Sequence, residues 1–499
     1  MKNNFADEFD VKEEIIDKYG AINISLVCDV PLFIDPFLIF NSNKKEYQEL
    51  HKSIIKYFYF LAKKAENKEM NEVEIKNWFT FKEVPNNWLG YSSNGNKGAG
   101  VSMKFGRKLC KNIKFALNNN NISKDVHFEK FMLLDEGNGK DNISDITVCL
   151  IKDFLCKYTE EFAKKYISKD KCKEIFVDKV EFNYDTETFN AKRYYLPFLT
   201  DPNEFVLLTP KDILREEEQT INRKDLFEHF DDVLKAIDNE SLREEINNYI
   251  TKVIRNYECE TLLSNQKIIS KDERKVELDA KKEIIKKYPE FYDYYVKFKE
   301  NDGDDIKEKC KEETDEINDL LKNAKILSLM FKEKSNSNDI ITKAKDEAIY
   351  RITKFKEIIE NEEGYKLLYY RGKQISNEDK LNRLFRFTKS DSTYKFDFET
   401  NNGRGPADIV ISKGKDNQCV VELKLASNKR GLNNIFKQVD CYCKANECND
   451  YVLVIFFFSE KEENNLKSWI KKENLESRIN KNIFSINCRN DDKPSASRQ

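Results

Sequence analysis

The sequence predicts a multidomain α/β protein. It reads as an N-terminal α/β domain over 1–235, a charged helical region over 236–373, and a C-terminal domain over 374–499 in the order α-β-β-β-α-β. Three observations carry this reading. At 499 residues the chain is too long for one ordinary hydrophobic core. From about Asp231 to Lys373 it is charged, nearly free of glycine and patterned as helix. Near the C-terminus two apolar, β-branched runs flank a polar loop, and each run holds a carboxylate that a plain strand does not need.

The two runs, Gly405 to Ser412 and Gln418 to Leu425, read as a β-hairpin whose loop contains Gly414. Asp408 lies near the start of the first. Glu422 and Lys424 stand two apart in the second, so both point to one face. An apolar strand that sets Glu beside Lys, opposite an Asp, is costly unless the charges have a role. Two carboxylates can hold a hard divalent cation, and an ammonium can orient a water or steady a developing anion. That is the chemistry of metal-assisted phosphodiester hydrolysis. The plainer alternative is a salt-bridged surface hairpin.

The surroundings extend the pattern. Ser376 to Phe387 reads as a helix capped by Ser376 or Asn377, with Glu378 in its first turn. The helix dipole stabilises such an acid whatever else it does. Tyr394 to Glu399 alternates like a strand. After the hairpin, Gly431 to Ala445 reads as a helix, Tyr451 to Phe458 as a buried strand, Glu463 to Glu473 as a helix and Asn482 to Ile486 as a strand. Gln438 and Tyr442 are four apart, on one helical face.

Pro406-x-Asp408, then Glu422-x-Lys424, then Gln438-x-x-x-Tyr442 resembles the PD-(D/E)xK nuclease superfamily, over roughly the last quarter of the chain. The resemblance implies a restriction-endonuclease-like αβββαβ core and Mg²⁺-dependent hydrolysis of DNA, with Mn²⁺ as a substitute ion, in bacterial restriction or anti-phage defence. It implies that Asp408 and Glu422, with the Leu423 carbonyl, hold the metal and that Lys424 positions the attacking water. Gln438 would orient a phosphate or Lys424, Tyr442 would complete the accessory motif, and Glu378 would serve a second metal or its water shell. Arg404, Lys429, Arg430 and Lys437 are candidates for the phosphate backbone. DNA is expected in preference to RNA. Two other classes fit the same residues: a catalytically inactive nuclease-fold scaffold that binds nucleic acid, and a structure-selective repair nuclease.

Composition bounds the rest. The net charge is −3, but it is unevenly spread. From Arg371 onward there are 24 Lys and Arg against 18 Asp and Glu, a net of +6, and the remainder carries −9. Basic charge therefore accompanies the candidate nuclease. Twelve cysteines without paired spacing, no signal-peptide pattern and no apolar run longer than eight residues predict a reduced cytoplasmic protein with no membrane segment. Cys441, Cys443, Cys448 and Cys488 read as buried or incidental thiols, not as a cluster-binding set. Only three histidines are present, His51, His127 and His229, none beside a ligand-like sequence cluster. That argues against histidine-dependent nucleases and zinc hydrolases, and no Gly-x-Ser-x-Gly elbow occurs.

Toward the N-terminus, Ala21 to Val27 and Pro31 to Phe40 read as extended segments and Tyr47 to Lys64 as an amphipathic helix. The loop from Gly90 to Gly100 contains Gly95 and Gly98 but no following Gly-Lys-Ser/Thr, so phosphate cradling is not expected. Leu134 to Asp145 leads into a helix from Ile146 to about Tyr166, with Ser144 as its cap and Asp145 in its first turn. Phe176 to Tyr184, Tyr194 to Phe198 and Glu204 to Thr209 read as strands. Helices follow at Asp272 to Lys287, Asp304 to Lys334 and Asp339 to Glu360. The second carries a stripe of Ile317, Leu320, Leu321, Ala324, Leu327 and Leu329, a candidate oligomerisation or partner-protein surface.

Overall fold

The computed structural model describes residues 4–26, 29–67, 69–90, 102–118, 127–134, 140–200, 204–216, 219–263, 270–334, 341–375, 377–389, 392–401, 406–445 and 448–492. Outside these lie Gly95, Gly98 and Gly100, the 135–139 loop, Ser376 and Arg404; the Asp408 side chain is likewise not described. The chain forms two compact units, Met1–Thr314 and Asp315–Gln499, which divide the 236–373 stretch between them. The architecture is mixed α/β. Among the described residues, no helix is long and apolar enough to cross a membrane.

The first unit is mainly helical. Its α1 (Lys45–Asn67) buries Tyr47, Ile54, Tyr57, Phe58, Leu61 and Ala65, the spacing of one helical stripe. Where the sequence predicts a single helix from Ile146, the structure has two, α2 (Lys140–Leu150) and α3 (Lys152–Tyr166), broken at Ile151. Ser144 is therefore not a cap. It is buried inside α2, and its Oγ accepts from the Ile34 amide at 3.1 Å, a tertiary use of the hydroxyl that local sequence does not announce. Pro36–Phe40, expected to be extended, is a short helix. Asp35 accepts from the Phe37 amide at 3.0 Å and Pro36 occupies the first position, where its missing N–H costs nothing. The strands β1 (Cys172–Asn183) and β2 (Thr188–Pro197) form an antiparallel hairpin. Residues 204–209 add only an isolated bridge, Phe198 to Phe205.

The helix α4 (Gly303–Lys334) crosses the boundary between the units. Ile317, Leu320, Ala324, Leu327 and Phe331 are buried at alternating spacings of three and four. Leu329 departs from the expected stripe: it is 52% exposed, because it falls off that face.

The second unit is a three-layer α/β/α sandwich. After α5 (Ala344–Asn361) and α6 (Glu378–Arg386) come β3 (Lys395–Asn401), β4 (Pro406–Ser412), β5 (Gln418–Leu425), α7 (Lys429–Ala445), β6 (Asp450–Phe457), α8 (Glu460–Lys472) and β7 (Ile483–Asn487). The five strands form one sheet in the order β7-β6-β5-β4-β3. β3, β4 and β5 are an antiparallel meander, and β5, β6 and β7 run parallel, joined by the crossover helices α7 and α8. The β4–β5 turn uses Gly414 at φ 89°, a conformation in which other residues are strained.

Alternation along β5 decides the layers. Cys419, Val421, Leu423 and Leu425 face a core shared with α4, α5 and α6, including Phe331, Ile352, Phe355 and Leu384. The opposite face is covered by α7 and α8 through Leu432, Ile435, Val439 and Leu466. β5 is buried along nearly its whole length, as a central strand between two helical layers should be.

Candidate active site

Glu422 and Lys424 share the α7 side of β5 and are 1% and 6% exposed. An isolated charge there would cost several kcal/mol, so each needs a partner. Lys424 Nζ sits 3.0 Å from Glu422 Oε1 and 2.9 Å from Glu378 Oε2. Glu378, first residue of α6, also accepts from the Leu425 amide at 3.2 Å and from Asn428 Nδ2 at 3.1 Å. One carboxylate thus closes the end of β5, holds the ammonium and joins two helices.

The position of α6 is itself fixed. Asn377 caps it, accepting from the Lys380 amide at 3.0 Å. Lys380 Nζ pairs with Glu316 Oε1 of α4 at 2.6 Å. At its far end, Arg351 of α5 donates to the Thr388 carbonyl and is held by Glu347 at 2.8 Å, both side chains being buried. These supports have no motif in the sequence.

Asn428 has two roles. Its Oδ1 accepts from the Gly431 amide at 2.8 Å, capping α7, while its Nδ2 reaches Glu378. Gly431 makes the arrangement fit, since a Cβ there would meet the Asn428 amide nitrogen at 2.5 Å.

Of the residues expected from sequence, the structure brings Glu378, Glu422 and Lys424 together directly. Asp408 lies on β4, whose pairing with β5 runs as far as Ile409 with Val421, one residue short of Asp408 and Glu422. Leu423 turns its side chain into the opposite core. Tyr442 packs with Val410 and Val420 in a small apolar cluster on the α7 side. One turn earlier on the same helix, Gln438 Oε1 is buried with no hydrogen-bond partner among the described residues. An acceptor without a donor is unusual in a packed layer. Lys429, Arg430 and Lys437 are solvent-exposed on α7.

The oxygen ligands on offer here are carboxylate, amide and backbone oxygens, the set preferred by hard divalent cations. Among the described residues, no group of three or more His, Cys, Asp or Glu converges as metal ligands do. The Cys443 and Cys448 thiols both donate to the Asp450 carbonyl, at 4.0 and 3.8 Å, Cys441 is exposed, and Cys488 is buried in the opposite core.

The first unit holds a polar cluster that sequence reasoning missed. His51 and His127 lie with ring centroids 6.1 Å apart, and His127 stands 3.5 Å from Glu129 and 3.3 Å from Glu300. Burial, with His127 as neighbour, pulls the His51 imidazole down to about 4. Burial also disfavours the charged form of His127, but Glu129 and Glu300 outweigh it and raise that imidazole above its ordinary value. The groups are separated by up to 249 positions in sequence, so no local pattern joins them.

Comparison with known families adds descriptions without functions. Residues 10–222 match a domain of unknown function (DUF8370). Residues 344–460, which include Glu378, Asp408, Glu422, Lys424, Gln438 and Tyr442, match a second domain of unknown function (DUF8371). No curated protein matches the chain, and no solved structure does.

Proposed function

We propose that the chain is a metal-dependent nuclease that hydrolyses phosphodiester bonds in DNA, with its chemistry in the second unit. The observation that carries this reading is the buried Glu422–Lys424 pair on the central strand, met by the half-buried Glu378 at the start of α6. A sheet interior is at least as stable with apolar residues of similar volume, so stability alone does not account for the two charges there. The order α-β-β-β-α-β around them, with Asp408 on the adjacent strand, supports kinship with PD-(D/E)xK nucleases.

Asp408, Glu422 and the Leu423 carbonyl would hold Mg²⁺, or Mn²⁺ in its place. Such an ion supplies Lewis acidity to a phosphoryl oxygen and acidifies a bound water. Lys424, fixed by two carboxylates, orients the attacking water and steadies negative charge developing on the phosphate. Glu378 keeps the ammonium aligned and Gln438 offers its amide to a phosphate oxygen. Lys429, Arg430 and Lys437, together with Arg404, meet the nucleic-acid backbone. Restriction of foreign DNA in a bacterial cytoplasm is the setting this activity suits.

A second reading is favoured by one observation: Lys424 is already paired on both sides, as in a purely structural network. On that reading the unit binds nucleic acid without cutting it. Duplex, single-stranded and branched DNA, and RNA, incubated with Mg²⁺, Mn²⁺ or EDTA separate the two. Metal-dependent cleavage by wild type, lost in Lys424→Ala, supports the nuclease. Binding without cleavage under every metal supports the scaffold.

A further inference from the structure

Three elements of the first unit meet at one cavity of about 490 Å³. The α2–α3 break at Ile151 forms one wall and α1 another. The third is the β1–β2 hairpin, where the register shifts between Val177 and Glu181 and Lys179 adopts φ 52°. Bulges of this kind re-aim side chains and recur beside binding sites. Here Val180, inside the irregular stretch, and Glu181, where pairing resumes, line the cavity.

The lining is chemically divided. Its inner side is aromatic: the Phe182 ring lies 4.9 Å from Tyr57, 5.0 Å from Phe189 and 5.1 Å from Tyr184, centroid to centroid. The carboxylates at the cavity are already neutralised. Asp153 is paired with Lys157 at 2.6 Å and Lys192 at 3.1 Å, and Glu181 with Lys192 at 2.7 Å. The exposed lysines of α1 are not. Lys52 and Lys56 have no carboxylate partner among the described residues, and Lys56 Nζ rests 4.1 Å from the centre of the Tyr184 ring. Uncompensated positive charge thus stands at the rim of an aromatic wall.

We propose that this cavity binds a nucleoside phosphate, its base against Phe182, Tyr184 and Phe189 and its phosphate held by Lys52 and Lys56. The volume lies within the roughly 300–1,000 Å³ range of small-molecule sites. Stacking supplies affinity for any base, while the paired Asp153 and Glu181 offer acceptors to amino or ribose hydroxyl groups. An inorganic anion alone would leave the aromatic wall unused, and an uncharged aromatic would leave the lysines unused. The site does not depend on the nuclease reading.

Calorimetric titration of the full chain in EDTA tests this with AMP, GMP, CMP and UMP, the matching nucleosides and inorganic phosphate. At least one monophosphate should bind tenfold or more tightly than both its nucleoside and phosphate. The Lys52→Ala/Lys56→Ala protein should bind it at least tenfold more weakly, with an unchanged melting temperature because both side chains are exposed. Phe182→Leu should weaken monophosphate and nucleoside together. Lys424→Ala should bind it as wild type does, so failure here is separable from failure of the nuclease reading. The proposal is overturned if no monophosphate binds below millimolar concentration, if the double variant binds equally well, or if only single-stranded oligonucleotides bind.

Discussion

At the scale of single residues, the candidate site is an ammonium shared by two carboxylates. Removing it by Lys424→Ala leaves Glu422 and Glu378 charged, close and largely dry. Loss of one member of a buried ionic set costs on the order of 3 kcal/mol, so the variant should melt earlier in EDTA. At temperatures where it is still folded it should bind DNA with affinity within a few-fold of wild type, yet not cleave. Cleavage that merely tracked the folded fraction would reduce Lys424 to a structural role. Glu422 and Lys424 were legible because charge inside an apolar, period-two run is conspicuous, and Glu378 from its place in the first turn of a predicted helix. Asn428 was not: Ser-Asn-Lys is ordinary turn composition, and only the fold shows its amide reaching Glu378. His51 and His127 were equally hidden, and they carry a pH prediction. The His51 imidazole, ordinarily near 6.5, is held at about 4 in the folded chain. Between those values the unfolded chain binds more protons, so the contribution of His51 is present above 6.5 and is lost as pH falls toward 4. His127 opposes this, since its raised value contributes stability below 6.5. Comparison with His51→Gln isolates the first effect. Relative to wild type, the variant should gain up to about 2 kcal/mol between pH 7 and 4.5, allowing for partial exposure. Urea melts at the two pH values measure it, and a pH-independent difference would dismiss the assignment.

At the scale of elements, most of the second unit could be read because each segment has one dominant period. β5 matches its expected limits, Gln418–Leu425, and the helices and strands around it follow within a few residues. The first unit was read less well for identifiable reasons. Pro36 looked like a breaker of extended chain but opens a helix capped by Asp35, and Ser144 looked like a cap but is spent on a contact with Ile34. Both sequences support two local structures, and distant partners choose between them. The start of α7 offers a test of that kind of competition. Alanine is the better helix former by roughly 1 kcal/mol, so Gly431→Ala should stabilise α7 on propensity alone. Its Cβ, however, would lie 2.5 Å from the Asn428 amide nitrogen. The Asn428 side chain must then swing away, losing the cap, worth about 1 kcal/mol, and its charge-assisted bond to Glu378, worth about 1.5 kcal/mol or more. The net expectation is destabilisation by about 1–2 kcal/mol, with reduced cleavage because Glu378 loses a tether. A Gly431→Ala protein more stable than wild type in urea would show that Asn428 is not constrained as described.

At the scale of the whole molecule, the question is which stretch of chain is a folding unit. The sequence places a boundary near residue 374, where helix gives way to the strand-rich pattern. That position marks a change of secondary structure, but a core is defined by what packs on the sheet. Phe331 from α4, Ile352, Phe355, Ile358 and Ile359 from α5, and Leu368 all share one buried cluster with Leu384, Phe396, Ile409, Val421 and Val454. A chain covering 374–499 keeps the sheet and the α7–α8 layer but strips most of the helical cover from the opposite face. Each large apolar side chain it fails to bury forfeits roughly 1.5–3 kcal/mol. With β4 and β5 losing several such partners at once, the deficit is of the same order as the roughly 5–15 kcal/mol by which a typical domain is stable. It also loses Glu316 and Arg351, which anchor the two ends of α6 and hence Glu378. The stretch 315–499 retains all of these. Produced alone, it should therefore melt in a single cooperative transition and bind DNA with an affinity that falls steeply with salt. The 374–499 chain should instead show no cooperative melt, bind a hydrophobic dye and aggregate. Circular dichroism melts and dispersed amide spectra of the two chains decide the matter. A cooperative melt of the shorter one would place the core in the sheet and the α7–α8 layer alone, and would make α5 a dispensable addition.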